Sequence, residues 1–162
     1  MVRKRRRRAC HPENWRRNVN KVRRLKGEEY VTDKGKIIPS QPMRPAPCRN
    51  RPKHKCCEQL SEDVRKNIYD QFRSCETLQA QREFLVRHIT QDKPKRKVVS
   101  GDSRKKYVKR YTLIDGEVSH SVCREFFLAT LGISEGLIKG AFKKLDSSGV
   151  VLPDQRGKNK KL

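Results

Sequence analysis

Long apolar runs are missing from this sequence. No stretch approaches the roughly 18 consecutive apolar residues that a membrane-spanning helix needs, so such a helix is excluded. Aromatic residues are scarce, at 6% of the chain. Proteins that read single-stranded nucleic acid stack bases on aromatic rings, so that class is disfavoured. Acids are few: 18 Asp and Glu stand against 41 Lys and Arg, which leaves a net charge of +23. Hydrophobic residues make up only 33% of the 162, too few for one dense core over the whole length. Part of the chain is therefore expected to be extended or disordered. Catalytic signatures are absent as well. The sequence holds no Gly-rich phosphate loop, no nucleophile elbow and no HExxH motif, and His88 and His120 have no acid or nucleophile at a telling spacing. The expectation is a protein without catalytic residues and without an organic cofactor.

What the chain does have is positive charge, unevenly spread. Residues 1–26 hold twelve Lys and Arg and one acid, and residues 92–110 hold nine and two. Residues 58–90 are close to neutral, with five Lys and Arg and six acids. Such a surplus calls for a polyanionic partner, with nucleic acid first. An anionic membrane surface is the weaker reading, because no long basic helix has a bulky apolar face. The run Arg3, Lys4, Arg5, Arg6, Arg7, Arg8 is followed by no apolar stretch, so it does not read as a secretory signal. With Lys95, Arg96 and Lys97 it suits nuclear import or phosphate binding instead. Six cysteines at irregular spacing, without such a signal, point to a reducing compartment, and the expected location is the nucleus.

The expected fold class is mainly α with short β-hairpins. Small helical modules, an αα-hairpin and a helix-turn-helix-like corner, would be joined by basic, partly disordered linkers. The divisions fall at 1–27 (basic arm and helix), 28–57 (short hairpin and Pro/Cys-rich linker), 58–90 (helical hairpin), 91–106 (basic linker), 107–152 (hairpin and corner) and 153–162 (basic tail). Trp15, Val19 and Val22 follow Pro12 at helical spacing, Gly27 suits a helix end, and Arg16, Arg17, Arg23 and Arg24 line the polar faces. Tyr30 to Ile38 suggest a small hairpin around Asp33-Lys34-Gly35, which needs a surface to pack on. Five prolines in residues 39–53 deny that segment regular structure. Ser61 reads as an N-cap, and Val64, Ile68 and Phe72 form one helical stripe. Leu78, Leu85 and Ile89 form the next, and a pair joined so tightly should be an αα-hairpin that packs or meets a protein partner. Asp115-Gly116 marks a second hairpin.

The segment VCREFFLATLGISEGLIKGAFKKLDS, from Val122, carries the sharpest signal. A helix to Leu131, a turn at Gly132 and a second helix from Ser134 to Leu145 match a helix-turn-helix, with Phe127, Leu131, Ile133, Ile138 and Ala141 at its buried positions. Glu135, Lys139, Lys143 and Lys144 would face outward, where a recognition helix meets base edges. The competing reading is an ordinary helical corner with lysines in solvent. Gly149 to Leu152 would add a strand against the Asp115-Gly116 hairpin like a wing, and the terminal basic residues would follow a phosphate backbone.

Cys48, His54, Cys56 and Cys57 offer four zinc ligands within ten residues. A Pro-rich segment without a core would gain order from a metal, and free thiols are the alternative. Cys75 and Cys123 sit in apolar helical patterns and read as buried small hydrophobes.

Three segments in this order carry a family likeness: NWRRNVNKVRRLKGEEYVTDKGKIIPSQPM; CCEQLSEDVRKNIYDQF with QREFLVRHI; and VCREFFLATLGISEGLIKGAFKK followed by RGK. Together they resemble the N-terminal region of a family of mostly uncharacterised, transposon-derived proteins of insects and other invertebrates. The resemblance implies a DNA-associated, transposase-like protein whose nuclease-type region would lie beyond Leu162. That family's cysteines stand closer together than Cys48 and Cys56 do here. The functional expectation is a non-catalytic DNA-binding fragment, with basic arms on phosphates and the 134–145 helix on bases. An RNA-binding or ribosome-associated protein, and a protein-interaction module with basic tails, are the rivals.

Overall fold

The N-terminal helix stops where Gly27 takes a left-handed conformation at φ 74°. The structure, a computed structural model, describes residues 11–48, 55–93 and 107–154, the Cys57 side chain excepted. The Arg3 to Arg8 arm, His54, the basic residues Lys95, Arg96 and Lys97, and the tail from 155 onward lie outside the described residues. Helix α1 spans Arg16–Lys26, behind a short 3-10 turn at Pro12–Asn14. It turns Leu25 inward rather than Trp15 or Val22, which are 56% and 49% exposed. Its C-terminal end meets the body of the fold, where Gln81 Nε2 donates to the Leu25 carbonyl. Strands β1 (Tyr30–Val31) and β2 (Ile37–Ile38) pair antiparallel, as expected. The surface they need is α1: Arg16 donates to the Thr32 carbonyl and Asn20 to that of Val31.

Helices α2 (Cys56–Gln59), α3 (Glu62–Arg73) and α4 (Leu78–His88) follow. Ser61 and Thr77 cap α3 and α4 by accepting from the Val64 and Ala80 amides. The expected helical hairpin is corrected in its packing. Helices α3 and α4 are consecutive, but α3 packs chiefly on α5 (Arg124–Leu131) and α4 on α6 (Glu135–Lys143). Residues 58–90 therefore share one apolar cluster with residues 107–152.

Ile89 was expected to extend the α4 stripe. Instead the chain turns extended at Ile89–Asp92, which becomes strand β3. It joins β4 (Val108–Asp115) and β5 (Val118–Val122) in an antiparallel sheet of order β3-β4-β5. The register aligns Ile89, Tyr111 and Val122 across the three strands, and all three are buried. Burial of that row holds the β-branched Ile89-Thr90 pair in the sheet. The fold is thus mixed, with helices and two small antiparallel sheets, so the expectation of a mainly α chain with short hairpins holds only roughly.

The wing is also corrected. Val151 bridges to Leu145, and the Leu152 amide donates to the Lys144 carbonyl, so the segment folds back on the end of α6. Central strand β4 already has a neighbour on each side, which leaves it no free edge for a further strand.

Residues 39–48 are extended, as their prolines require, but they are not a loose linker. They form a strap across the fold. The Gln41 amide donates to Gly27 and the Arg44 amide to Ala129. The Gln41 carbonyl accepts from Tyr69 and Arg73, and the Arg44 carbonyl from the buried Arg65. A segment without its own ladder thereby satisfies its backbone from side chains of α3.

Candidate nucleic-acid interface and cysteine cluster

The helix pair α5–α6 forms around Gly132, whose φ of 60° ends α5 in a left-handed cap. Phe127, Leu131, Ile133, Ile138 and Ala141, the five residues expected inside, are all buried. The turn is itself covered: a Cβ on Gly132 would lie 2.6 Å from the Pro42 carbonyl oxygen and 2.7 Å from that of Gln41. Arg73 donates to the carbonyls of Leu131 and Gly132, and Arg44 to those of Leu128 and Ile133. Two arginines therefore add donors to the carbonyls at the end of α5 and in the turn that follows it.

Outward positions of α6 divide in two. Lys139 and Lys143 are exposed, whereas Glu135 and Lys144 are half-buried. The helix ends at Lys143, earlier than expected, and Lys144 is its cap. Glu135 sits between cations: its carboxylate is 3.5 Å from Arg124 and 3.7 Å from Lys139. Lys109 of β4 reaches the same place, with its ammonium 4.7 Å from the Phe142 ring centroid. Burial, chiefly, lowers the Lys109 ammonium from its ordinary value, and Glu135 opposes that shift. Beside it an open cleft of about 390 Å³ is lined by Lys109, Arg110, Tyr111, Ser121, Val122, Cys123, Arg124 and Glu125. Arg110 is 3.4 Å from Asp92 across the sheet. The sequence marked Lys109 and Arg110 only as members of a basic run. Arg124 had no signal, because its place beside Glu135 depends on the α5–α6 corner.

The α1 arginines serve in part as structure. Arg16 holds the first hairpin, and the Arg24 guanidinium lies 5.9 Å from the Tyr30 ring centroid. Arg17 and Arg23 are exposed.

Among the described residues, two of the expected ligands, Cys48 and Cys56, converge with a third cysteine, Cys123. The Sγ atoms of Cys48, Cys56 and Cys123 all lie within 4.8 Å of one another. The sulfurs of Cys48 and Cys123 are 3.3 Å apart. Cys123, expected as a buried small hydrophobe, is the N-cap of α5, and its sulfur accepts from the Phe126 amide. The Cys123 amide in turn donates to the Cys56 sulfur at 3.2 Å. Burial first, and the neighbouring Cys123 thiol second, push the Cys48 thiol far above the ordinary thiol range. Burial raises Cys56 as well, against the opposing hydrogen bond from Cys123. Cys75 stands apart, with its thiol toward the Gln71 carbonyl. The strap and the α5 N-terminus make this cluster, and no local spacing in the sequence announces it.

Among the described residues no helix is long and apolar enough to cross a membrane. No family model, curated protein or solved structure matches the chain.

Proposed function

We propose that this chain is a non-catalytic protein that binds duplex DNA. Helix α6 would enter the major groove, and β4 and the start of α5 would supply phosphate contacts. The carrying observation is the outer face of α6. Exposed Lys139 and Lys143 alternate there with Gly136 and Gly140, and Lys109 and Arg124 flank them. Each glycine costs a helix about 1 kcal/mol relative to alanine. Neither is required by packing: Gly140 has nothing within 4 Å of a built Cβ, and Gly136 meets only the Ser134 hydroxyl at 3.6 Å. A bare backbone between two lysines suits the close approach of a partner surface.

In this reading the basic residues Arg3 to Arg8, Arg17, Arg23 and Lys95 to Lys97 add phosphate contacts, which fix position without reading sequence. Zinc at the cysteine cluster is the structural ion of the same reading, which also takes a transposon-derived origin and a nuclear location. The A-form major groove of RNA is too narrow to admit side chains, so an exposed helix face of this kind favours B-form DNA. The apolar stripes of α3 and α4 are spent in the core, which weighs against residues 58–90 as a protein-docking module.

The test begins with selection of a preferred sequence from random duplexes. Lys139→Ala should then cost about 1–3 kcal/mol on that sequence and far less on random duplex, as expected of a base contact. Equal loss on both would make Lys139 a phosphate contact. No loss on either would remove α6 from the interface.

A further inference from the structure

Three sulfurs from distant parts of the chain meet beneath the N-terminus of α5. Cys48 ends the strap, Cys56 opens α2, and Cys123 caps α5. Cys48 and Cys123 are 75 residues apart in sequence, and Cys56 and Cys123 are 67 apart. Cys48 and Cys56 are only 2% and 5% exposed.

The spacing suits a metal ion. Zinc–thiolate bonds of about 2.3 Å in a tetrahedron put sulfurs about 3.8 Å apart. All three sulfurs lie within 4.8 Å of one another, with Cys48 and Cys123 3.3 Å apart, so the cluster is compact enough for one ion to reach all three. Two backbone amides already point at sulfur: Cys123 N–H at Cys56, and Phe126 N–H at Cys123. Donors of this kind stabilise charge on metal-bound thiolates and fix their orientation. A disulfide between Cys48 and Cys123 would use only two of the three sulfurs and leave Cys56 without a role.

We propose that Cys48, Cys56 and Cys123 supply three of the ligands of one thiophilic divalent ion of the zinc class, which staples the strap and α2 to the start of α5. As each sulfur–metal bond forms, the thiol S–H bond breaks and its proton passes to solvent. No electron is transferred. The ion ties the end of the strap, whose Gln41 and Pro42 cover the Gly132 turn, to α2 and the start of α5. Of the local set Cys48, His54, Cys56 and Cys57, this site keeps Cys48 and Cys56 and adds Cys123; His54 and the Cys57 side chain lie outside the described residues. The site deepens the zinc of the proposed function, and its test can fail independently of DNA binding, because the metal is read with no nucleic acid present.

The test uses the full chain, reduced, stripped of metal and titrated with cobalt(II) and then zinc. One equivalent of cobalt should bind, with intense thiolate-to-cobalt absorption that zinc abolishes. Alkylation mapped by mass spectrometry should find Cys48, Cys56 and Cys123 all shielded by zinc, with Cys75 unchanged. Cys123→Ser should weaken zinc binding by more than about 100-fold, beyond the loss typical of an outer-sphere change, and Cys75→Ser should not. If the Cys123 variant fails to fold, the shielding pattern of the unaltered chain still decides. Any one of the three thiols left reactive at saturating zinc would overturn the proposal. So would less than half an equivalent of bound metal.

Discussion

Two glycines of the α5–α6 corner make opposite demands. Gly132 sits at φ 60° with backbone oxygens of Gln41 and Pro42 where a Cβ would be. Gly132→Ala should therefore destabilise by at least about 2 kcal/mol, since left-handed strain and a clash with backbone add. Gly140, inside α6 with open space around it, should instead gain about 0.5–1 kcal/mol as alanine. Urea denaturation of the two variants checks both signs. His88 gives a pH signature. It is buried, stacked on Phe84 at 4.2 Å, and its Nδ1 is 2.8 Å from the Phe84 carbonyl. Burial, chiefly, holds the imidazole below its ordinary value of 6.5, so the folded ring stays neutral where the unfolded chain takes up a proton. Stability that is complete above that value is lost as pH falls through it, by at most about 1.4 kcal/mol per pH unit. Denaturation midpoints at pH 7.5 and 5.5 should draw together in His88→Phe. An unchanged pH dependence would assign the effect to other groups. At this scale the sequence was most readable in the corner, where 3.6-residue spacing and one glycine placed all five buried side chains. It was least readable at Cys123, whose apolar neighbours disguise a sulfur turned toward Cys48 and Cys56.

At the scale of elements, hairpins and caps were legible because their chemistry is local. Asp115-Gly116, Ser61 and Gly27 each act on their own few residues. What escaped was pairing at a distance. Ile89 looks like the end of a helix, and residues 91 and 92 like the start of a linker, until Tyr111 and Val122 stand beside Ile89. The prolines of residues 39–47 correctly exclude helix and strand, but nothing in them reveals a strap held by Arg44, Arg65 and Arg73. Removing the Arg44 side chain deletes the donor to the carbonyls of Leu128 and Ile133, at 2.9 and 2.8 Å. Arg44→Ala should cost about 1–3 kcal/mol, the range for charged hydrogen bonds lost at a partly buried site. Amide hydrogen exchange should quicken across α5 and the strap more than across β1 and β2. Uniform quickening everywhere would mean that Arg44 supports global stability only.

For the whole molecule, the near-neutral stretch 58–90 proves to be the inner wall of a shared core, and cationic side chains gather outside it around α6 and β4. Composition announced the charge, and only the fold assigns some of it to one face. Arginines 44, 65 and 73 were part of the same surplus, yet the fold spends their donors on carbonyls of the strap and the α5–α6 turn and on Thr130. Net charge therefore overstates how many cations a polyanion can reach. The face formed by Lys109, Arg124, Lys139 and Lys143 is the central claim, and the salt dependence of duplex binding tests it most directly. Each phosphate contact contributes about 0.9 to the slope of log affinity against log salt. Replacing Lys109, Arg124 and Lys143 together with glutamine should make that slope shallower by about two to three. A slope equal to that of the unaltered protein, with the fold intact, would contradict the assignment of this face to DNA.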